Sequence, residues 1–163
     1  MLRGMYDIRP STAADLPAVD ALFRRVYPRL LKEDYAPSIR VLVLPRISRA
    51  QPRLLQSGTY FVAEEAGEII GAGGWTRDRK VAGVGHIRHV VTCDRNLRRG
   101  IARTLLGRVF DQAAGQGVDR FVCWSTFTAE PFYASLGFER QKVIEVPLDA
   151  GISFPAVEMT RVP

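Results

Sequence analysis

The spacing of apolar residues predicts two amphipathic helices, one near the start of the chain and one near its centre. The first follows a short strand at residues 6–9, and either Ser11 or Thr12 can cap it. The second begins near Gly100 and stops at Gly115 or Gly117, because glycine readily ends a helix. The apolar positions at helical spacing are Leu16, Val19, Leu22, Phe23 and Val26 in the first helix, and Ile101, Leu105, Leu106, Val109, Phe110 and Ala113 in the second.

Shorter apolar runs predict strands. Two of them, at residues 59–65 and 68–75, are separated only by Ala66-Gly67, which predicts a hairpin. Residues 31–57 contain three prolines and predict one or two broken helices. Further strands are predicted at residues 84–92, 121–124, 138–148 and 152–161, with a short helix at residues 129–136 that Gly137 ends.

Side chains alternate between the two faces of a strand, which assigns faces within residues 84–92. His86, Arg88, Val90 and Thr92 are predicted on one face, and Ile87, His89 and Val91 on the other. The strand leads directly into an arginine-rich loop that precedes the second amphipathic helix. The order of elements predicts a mixed α/β sandwich in which one strand-helix-strand crossover is parallel.

Length and composition narrow the class of protein. A chain of 163 residues with 47% hydrophobic residues suits one domain, over residues 1–163, with a substantial core. Because no run approaches the roughly 20 apolar residues of a membrane span, and no secretory signal is evident, we expect a cytoplasmic protein without a membrane partner. Cys93 and Cys123 lack metal-ligand or redox spacing, so we expect two reduced thiols and no metal site.

The net charge of +6 could attract a polyanion, but its origin favours another explanation. Lys32, Lys80 and Lys142 are the only lysines, so the excess is almost entirely arginine, in a chain also rich in Ala, Gly and Pro. Such a bias often follows genome base composition. No basic run is interleaved with aromatic residues as a single-strand platform requires, and no nucleic-acid partner is expected.

The sequence Arg98-Arg99-Gly100-Ile101-Ala102 predicts an anion site. The first backbone N–H groups of a helix have no partner within it and carry the positive end of its dipole. Gly100 lets a ligand approach closely. Arginines are mildly unfavourable at this end of a helix, so Arg95, Arg98, Arg99 and Arg103 indicate an external anion such as a pyrophosphate. The alternative is that these arginines form a solvated surface and Gly100 is an ordinary turn residue.

A second motif, Ala129-Glu130-Pro131-Phe132-Tyr133-Ala134-Ser135-Leu136-Gly137-Phe138, follows the loop by about thirty residues. Together the two motifs resemble the GNAT superfamily of acyl-CoA N-acyltransferases, in which an Arg/Gln-x-x-Gly-x-Gly/Ala loop is followed by a Phe-Tyr-x-x-Leu-Gly-Phe-type helix end. The resemblance extends over residues 6–161. It implies a mixed, mostly antiparallel central sheet flanked by helices, with acetyl-CoA as co-substrate and no metal.

The resemblance also implies cofactor-binding residues. Backbone groups of Val90, Val91 and Thr92 would bond the pantetheine arm, extending the sheet as an added strand does. Residues 98–103, which are Arg98, Arg99, Gly100, Ile101, Ala102 and Arg103, would hold the pyrophosphate. Two positions depart from the family pattern. Leu97 stands where Arg or Gln is usual, and Thr126 stands where Asn is often found, which puts the cofactor contact of Thr126 in doubt.

Three groups are expected to act on the reaction. Tyr133 occupies the motif position at which the family usually carries the acid that protonates the thiolate. His86 lies where some members carry a catalytic glutamate that acts as the general base. It could take the ammonium proton directly or through water. The backbone N–H near Val90 is the expected donor to the oxyanion. The alternatives are that Tyr133 packs in the core beside Phe132 and that His86 only hydrogen-bonds within the sheet. Many members use a water chain in place of a single base.

The acceptor pocket is expected between the first helix, the broken segment and the hairpin near Trp75. Aromatic side chains there could stack on an acceptor, and Arg40 or Arg88 could pair with a carboxylate. Any of these residues could instead belong to the core or the surface. The candidates are Tyr27, Tyr35, Arg40, Trp75 and Arg88.

The sequence therefore predicts an N-acetyltransferase that transfers acetyl from acetyl-CoA to the primary amine of a small molecule or peptide by direct attack on the thioester. The alternative is a non-catalytic acyl-CoA-binding regulatory module, which would bind coenzyme A without releasing thiol in response to an acceptor. A nucleic-acid-binding protein is favoured only by the charge. Since many members of the superfamily dimerise, a homodimer is compatible with this interpretation.

Overall fold

The computed structural model describes residues 5–162, and its elements follow the predicted order. The strands are β1 (Asp7–Pro10), β2 (Tyr60–Glu65), β3 (Glu68–Arg77), β4 (Val84–Thr92), β5 (Arg120–Ser125), β6 (Glu139–Pro147) and β7 (Ser153–Arg161). The helices are α1 (Leu16–Leu31), α2 (Pro37–Ile47), α3 (Pro52–Leu55), α4 (Ile101–Gly115) and α5 (Glu130–Ser135). Among these residues, no helix has the length and apolar character needed to cross a membrane.

The seven strands form one sheet in the order β1-β2-β3-β4-β5-β7-β6. All neighbouring strands are antiparallel except β4 and β5, which α4 connects as the predicted parallel crossover. Only three residue pairs join β4 to β5: Val84 with Arg120, Gly85 with Phe121, and His86 with Val122. Beyond His86 the two strands diverge, and this divergence positions the candidate site.

Helices cover both faces of the sheet. Phe61 of β2 packs beneath α4 with Leu105 and Val109, whereas its neighbours on β2, Tyr60 and Val62, pack beneath α1. This alternation on β2 separates two apolar clusters, which lie on what we call the α4 face and the α1 face of the sheet. A third cluster lies between α2 and β7.

The local signals in the sequence correspond to observed turns and helix ends. The β2–β3 turn is formed by Ala66 and Gly67, with φ of 51° and 82°, which is the left-handed backbone that a two-residue hairpin needs. The broken segment contains α2 and α3, as predicted. The capping prediction is confirmed for Thr12, which is the N-cap of a 3-10 turn (Ala13–Asp15) that leads directly into α1 at Leu16. In this capping box the Asp15 carboxylate accepts from the Thr12 N–H at 2.8 Å.

A β-bulge in β4 changes the predicted faces of its second half. His89 has a φ of 42°, and the register with β3 shifts between Ala72 and Gly74. As a result His89 stacks on Phe23 of α1, with ring centroids 5.3 Å apart, while Val90 packs with the cluster beneath α4. The predicted faces of His89, Val90 and Val91 are therefore all reversed, since the bulge inserts one extra residue that simple alternation does not allow for.

Candidate active site

A cleft of about 440 Å³ opens where β4 and β5 diverge. Its walls come from α1, the end of β4, the loop before α4, and α5 with the residues that precede it. Most of the lining is apolar, and it includes residues from both sequence motifs. The lining residues are Val26, Arg29, Leu30, Val90, Val91, Thr92, Asp94, Leu97, Ala102, Thr128, Ala129, Phe132 and Tyr133.

The start of α4 forms an open N-terminus beside this cleft. Gly100 precedes the helix with a φ of 72°, and no side chain caps the N–H groups of the first turn. A Cβ added at Gly100 would meet no atom within 4 Å, so the space before the helix is open. Leu97 and Ala102, on either side of Gly100, both line the cleft. This arrangement can bind an anion through backbone N–H groups.

The arginines around this N-terminus differ in their contacts. The Arg99 guanidinium is not open to a bound anion. It donates to both Glu65 oxygens, at 3.1 and 2.5 Å, and lies over the Tyr6 ring. Arg103 donates to Ser135 Oγ at 3.0 Å. Arg98 is exposed and forms no ion pair with any residue in the 5–162 range. Arg95 is likewise exposed and forms no ion pair within the described residues. The cationic side chains open to a ligand are therefore Arg95, Arg98 and Arg103, while Arg99 can contribute its backbone.

Thr92 carries an enclosed hydroxyl that lacks a partner. Its Oγ1 is buried and makes no hydrogen bond to the described part of the chain, although the residue lines the cleft. Such a group costs free energy unless a ligand or water satisfies it. Thr92 thus fits a cleft that receives a polar molecule, and the amide-containing pantetheine arm of coenzyme A is one that could bond it.

Tyr133 lies on α5 and lines the cleft. It is 6% exposed and contacts Phe132 and Phe138 edge to face, with centroids 5.3 and 5.5 Å apart. Burial raises the pKa of its hydroxyl well above the usual value, so the group keeps its proton. Tyr133 therefore packs against the core and also lines the cleft. The packing contact thus leaves it in a position where it could act on a bound ligand.

Thr126 does not line the cleft. Its Oγ1 accepts a hydrogen bond from the Ala129 N–H at 3.1 Å and so holds the turn that leads into α5. Thr128 lines the cleft and donates to the Leu30 carbonyl at 2.8 Å. Thr126 thus positions α5 as an acceptor, while its hydroxyl proton is not used in this bond, and its cofactor contact stays a prediction.

His86 lies on the α1 face of β4, just before the strands diverge, and it is not among the residues that line the cleft. Its Nε2 lies 2.7 Å from Asp78 Oδ2, and its ring meets Trp124 edge to face with centroids 5.9 Å apart. This interaction and two backbone N–H donors lower the pKa of Asp78 to about 2. A carboxylate that bonds one ring nitrogen fixes the tautomer and leaves the other nitrogen, Nδ1, able to accept a proton.

His89, which the sequence analysis placed on the wrong face, belongs to a buried polar group. The Tyr27 hydroxyl lies 3.1 Å from His89 Nδ1, and the Tyr60 hydroxyl donates to the His89 carbonyl at 2.7 Å. Burial lowers the pKa of His89 to about 4, so its ring is neutral at pH 7. No local signal reveals this group, because it depends on the bulge and on contacts between α1, β2 and β4.

The contact between Tyr60 and His89 orients one peptide of the bulge. Tyr60 is fully buried on the α1 face, and its ring crosses β3 at Gly74, where a Cβ would lie 2.6 Å from Tyr60 Cδ1. In a trans peptide the N–H points opposite to the carbonyl. Because the His89 carbonyl is directed at Tyr60, the Val90 N–H is directed away from it, and Val90 lines the cleft.

Two of the acceptor candidates lie in the core. Trp75 is 1% exposed and donates to Gln112 Oε1 of α4 at 2.8 Å, so it does not form a wall at a hairpin tip. Tyr35 is buried between Phe127 and Phe154 and donates to the Pro155 carbonyl at 2.8 Å. Both predictions are corrected, because contacts with α4 and with β7 enclose the two rings.

The remaining candidates differ in their surroundings. Tyr27 is buried against His89, and Arg40 Nε is enclosed on α2 without a partner among residues 5–162. Arg88 lies half-buried on β4, next to the bulge. No cluster of His, Cys, Asp and Glu within the described segment could hold a metal ion.

The divergent strands, the open N-terminus of α4 and the adjoining tyrosine together define the fold of an acyl-CoA N-acyltransferase. The family model of the acetyltransferase (GNAT) domain matches residues 36–161, and the chain therefore belongs to this family of acetyltransferases. Comparison with curated protein sequences gives no match.

Solved structures support the same fold. A GCN5-related N-acetyltransferase from Rhodopseudomonas palustris is 17% identical with a TM-score of 0.78, covering 100% of this chain and 99% of the other. The PaiA N-acetyltransferase of Thermoplasma acidophilum, solved in complex with coenzyme A, is 15% identical with a TM-score of 0.74, covering 98% and 99%. The ribosomal-protein-S18-alanine N-acetyltransferase of Escherichia coli is 18% identical with a TM-score of 0.65, covering 97% and 94%. At these identities the likeness shows the fold.

Proposed function

We propose that this acetyltransferase transfers acetyl from acetyl-CoA to the primary amine of a small molecule or peptide, by direct attack of the amine on the thioester. One observation carries the proposal: a single cleft combines an uncapped helix N-terminus, the unpartnered hydroxyl of Thr92 and the buried hydroxyl of Tyr133. These groups match in turn the pyrophosphate, the pantetheine arm and the thiolate.

The N–H groups at the start of α4, with Arg98 and Arg103, bind the pyrophosphate in this proposal. Asp94, on the same side of the cleft, does not repel it strongly, because Arg25 donates to both of its oxygens at 2.6 and 2.9 Å. Val90, Val91 and Thr92 bond the pantetheine arm through the backbone, as a strand added at the divergence of β4 and β5 would be bonded.

Acetyl-CoA supplies an activated acyl carbon, and the chain supplies an oxyanion donor and an acid. The Val90 N–H, directed away from Tyr60, donates to the oxygen that gains charge as the amine nitrogen bonds the carbonyl carbon. As the carbon–sulfur bond breaks, the Tyr133 hydroxyl protonates the leaving sulfur and is reprotonated from solvent. A hydroxyl that keeps its proton at pH 7 suits this role.

His86 takes the proton that the attacking nitrogen loses, directly or through one or more waters. The short contact between its Nε2 and Asp78 supports this assignment, because Asp78 holds the ring in the tautomer that leaves Nδ1 free to accept. His89 is a poorer base, since its Nδ1 faces the Tyr27 hydroxyl and burial lowers its pKa to about 4.

Calorimetric titration with acetyl-CoA and with free coenzyme A, followed by thiol release against a panel of amines, tests the proposal. We expect micromolar binding of both molecules and release that depends on an added amine. Binding without release would contradict the transfer and favour the binding module. The absence of binding would contradict the anion site at Gly100.

A further inference from the structure

Arg88 carries a half-buried guanidinium that has no acidic partner. Its Nε donates to Thr76 Oγ1 at 2.9 Å, and across residues 5–162 neither of its terminal nitrogens forms a hydrogen bond or an ion pair. Burial lowers the pKa of Arg88, and the charge of Arg79 adds to this effect. A half-buried guanidinium binds an anion more strongly than a fully solvated one does, and its two terminal nitrogens are available to bind one.

The acid nearest to Thr76 along the chain cannot fill this role. Asp78 Oδ1 accepts from the backbone N–H groups of Lys80 and Val81, both at 2.8 Å, while Oδ2 contacts His86. Because these three partners occupy the Asp78 carboxylate, Asp78 does not bind Arg88. The two terminal nitrogens of Arg88 can therefore bind a carboxylate from outside the chain.

Arg88 also lies close to the reacting groups of the proposed mechanism. It immediately precedes the bulge, two positions before Val90. Trp124 of β5 lies on the same face, because its ring meets His86, and it is 43% exposed. A guanidinium and an exposed indole therefore share one face of the sheet with His86, the residue that takes the amine proton in the proposed mechanism.

We propose that the acceptor is a small amine that also carries a carboxylate a few carbon atoms away, as an amino acid does, and that Arg88 binds this carboxylate through its two terminal nitrogens. This inference rests on the proposed acetyl transfer. Trp124 covers the apolar part of the acceptor. An amine without a nearby carboxylate leaves Arg88 unpaired and is therefore disfavoured.

The test measures thiol release for each standard amino acid and for its C-terminal amide, in the wild type and in Arg88→Gln and Arg88→Lys. Removal of the charge should affect an acceptor only if that acceptor carries the carboxylate. For the best substrate we expect kcat/KM to be about tenfold or more higher for the acid than for the amide. In Arg88→Gln the ratio of kcat/KM for the acid to kcat/KM for the amide falls towards one, because the KM of the acid rises. Arg88→Lys restores part of the ratio, because lysine keeps the charge but lacks the two terminal nitrogens that bind a carboxylate together.

Arg53→Gln is the matched control, since it removes the same charge from the exposed surface of α3 and should keep the ratio. Equal rates for acids and amides, or an unchanged ratio in Arg88→Gln, would overturn the inference and leave acetyl transfer intact. If acetyl-CoA binds but no acid stimulates release, the inference is likewise overturned while the cofactor site stands. Failure of acetyl-CoA to bind in calorimetry would overturn the proposed function together with this inference.

Discussion

The Tyr60 hydroxyl provides a way to test the oxyanion donor without altering the backbone that supplies it. Tyr60 is fully buried and donates to the His89 carbonyl at 2.7 Å, which sets the orientation of the Val90 N–H. Tyr60→Phe removes one oxygen atom and keeps the ring that packs across Gly74. The His89 carbonyl then lacks its partner and the bulge peptide can rotate.

Two magnitudes follow from this contact. Leaving a buried carbonyl unsatisfied costs about 1–3 kcal/mol of unfolding free energy. Complete loss of one oxyanion donor lowers kcat by about 10²–10³. Since the N–H remains present but less well oriented, we expect a decrease in kcat of about tenfold, equivalent to about 1.4 kcal/mol of transition-state stabilisation. The KM for acetyl-CoA should change by less than about twofold, because the Val91 and Thr92 backbone and the start of α4, which supply most of the proposed cofactor contacts, are not part of the peptide that rotates.

Steady-state thiol release measures kcat and KM, and thermal unfolding confirms that the variant is folded at the assay temperature. Tyr35→Phe is the control, because Tyr35 also donates to a backbone carbonyl, that of Pro155, at 2.8 Å in the α2–β7 cluster. We expect Tyr35→Phe to lower the unfolding midpoint and keep kcat. An unchanged kcat in folded Tyr60→Phe would refute the reasoning that this hydroxyl orients the donor.

Three further predictions test the cleft and the bulge. Tyr133→Phe should lower kcat while calorimetry shows acetyl-CoA affinity preserved, and an unchanged kcat would remove its role as the acid. Gly100→Glu should abolish acetyl-CoA binding, since it adds bulk and negative charge at the anion site, whereas Gly100→Ala, with the same left-handed strain, should retain more affinity. The pKa of His89 is about 4 in the folded chain and near 6.5 when unfolded, so protons bind preferentially to the unfolded state between these values and stability should decrease as the pH falls from about 6.5 to 4. The unfolding midpoint measured against pH should lose this component in His89→Phe, and an unaltered profile would show that His89 does not titrate in this way.

The elements that the sequence predicts well are those with local signals. The Ala66-Gly67 turn, the start of α4 after Gly100 and the end of α5 before Gly137 each depend on backbone conformations that glycine and its neighbours favour. The parallel crossover follows from the order of strand, helix and strand. Tyr133 was found from its motif, which combines an aromatic pair with a helix end.

The predictions that failed depend on contacts between distant segments. The side chain of Arg99 was counted among the cations of the anion loop, but Glu65, thirty-four positions earlier on β2, binds its guanidinium and leaves only its backbone for that loop. Trp75 lies on a strand covered on both faces, so its polarity pattern gives no indication of which helix encloses it. The faces of His89, Val90 and Val91 were reversed by one extra residue in β4, which hydrophobic alternation cannot detect.

The separation of β4 from β5 after only three residue pairs means that two halves of one sheet share a short seam. Backbone groups of β4 beyond His86, which further pairing with β5 would have consumed, remain available on that side of the strand. A variant that extended the seam towards Thr92 and Ser125 would gain ladder hydrogen bonds and close the cleft. The same backbone groups of β4 can therefore either pair with β5, which would stabilise the fold, or bind a ligand in the cleft. Selection for one of these uses acts against the other.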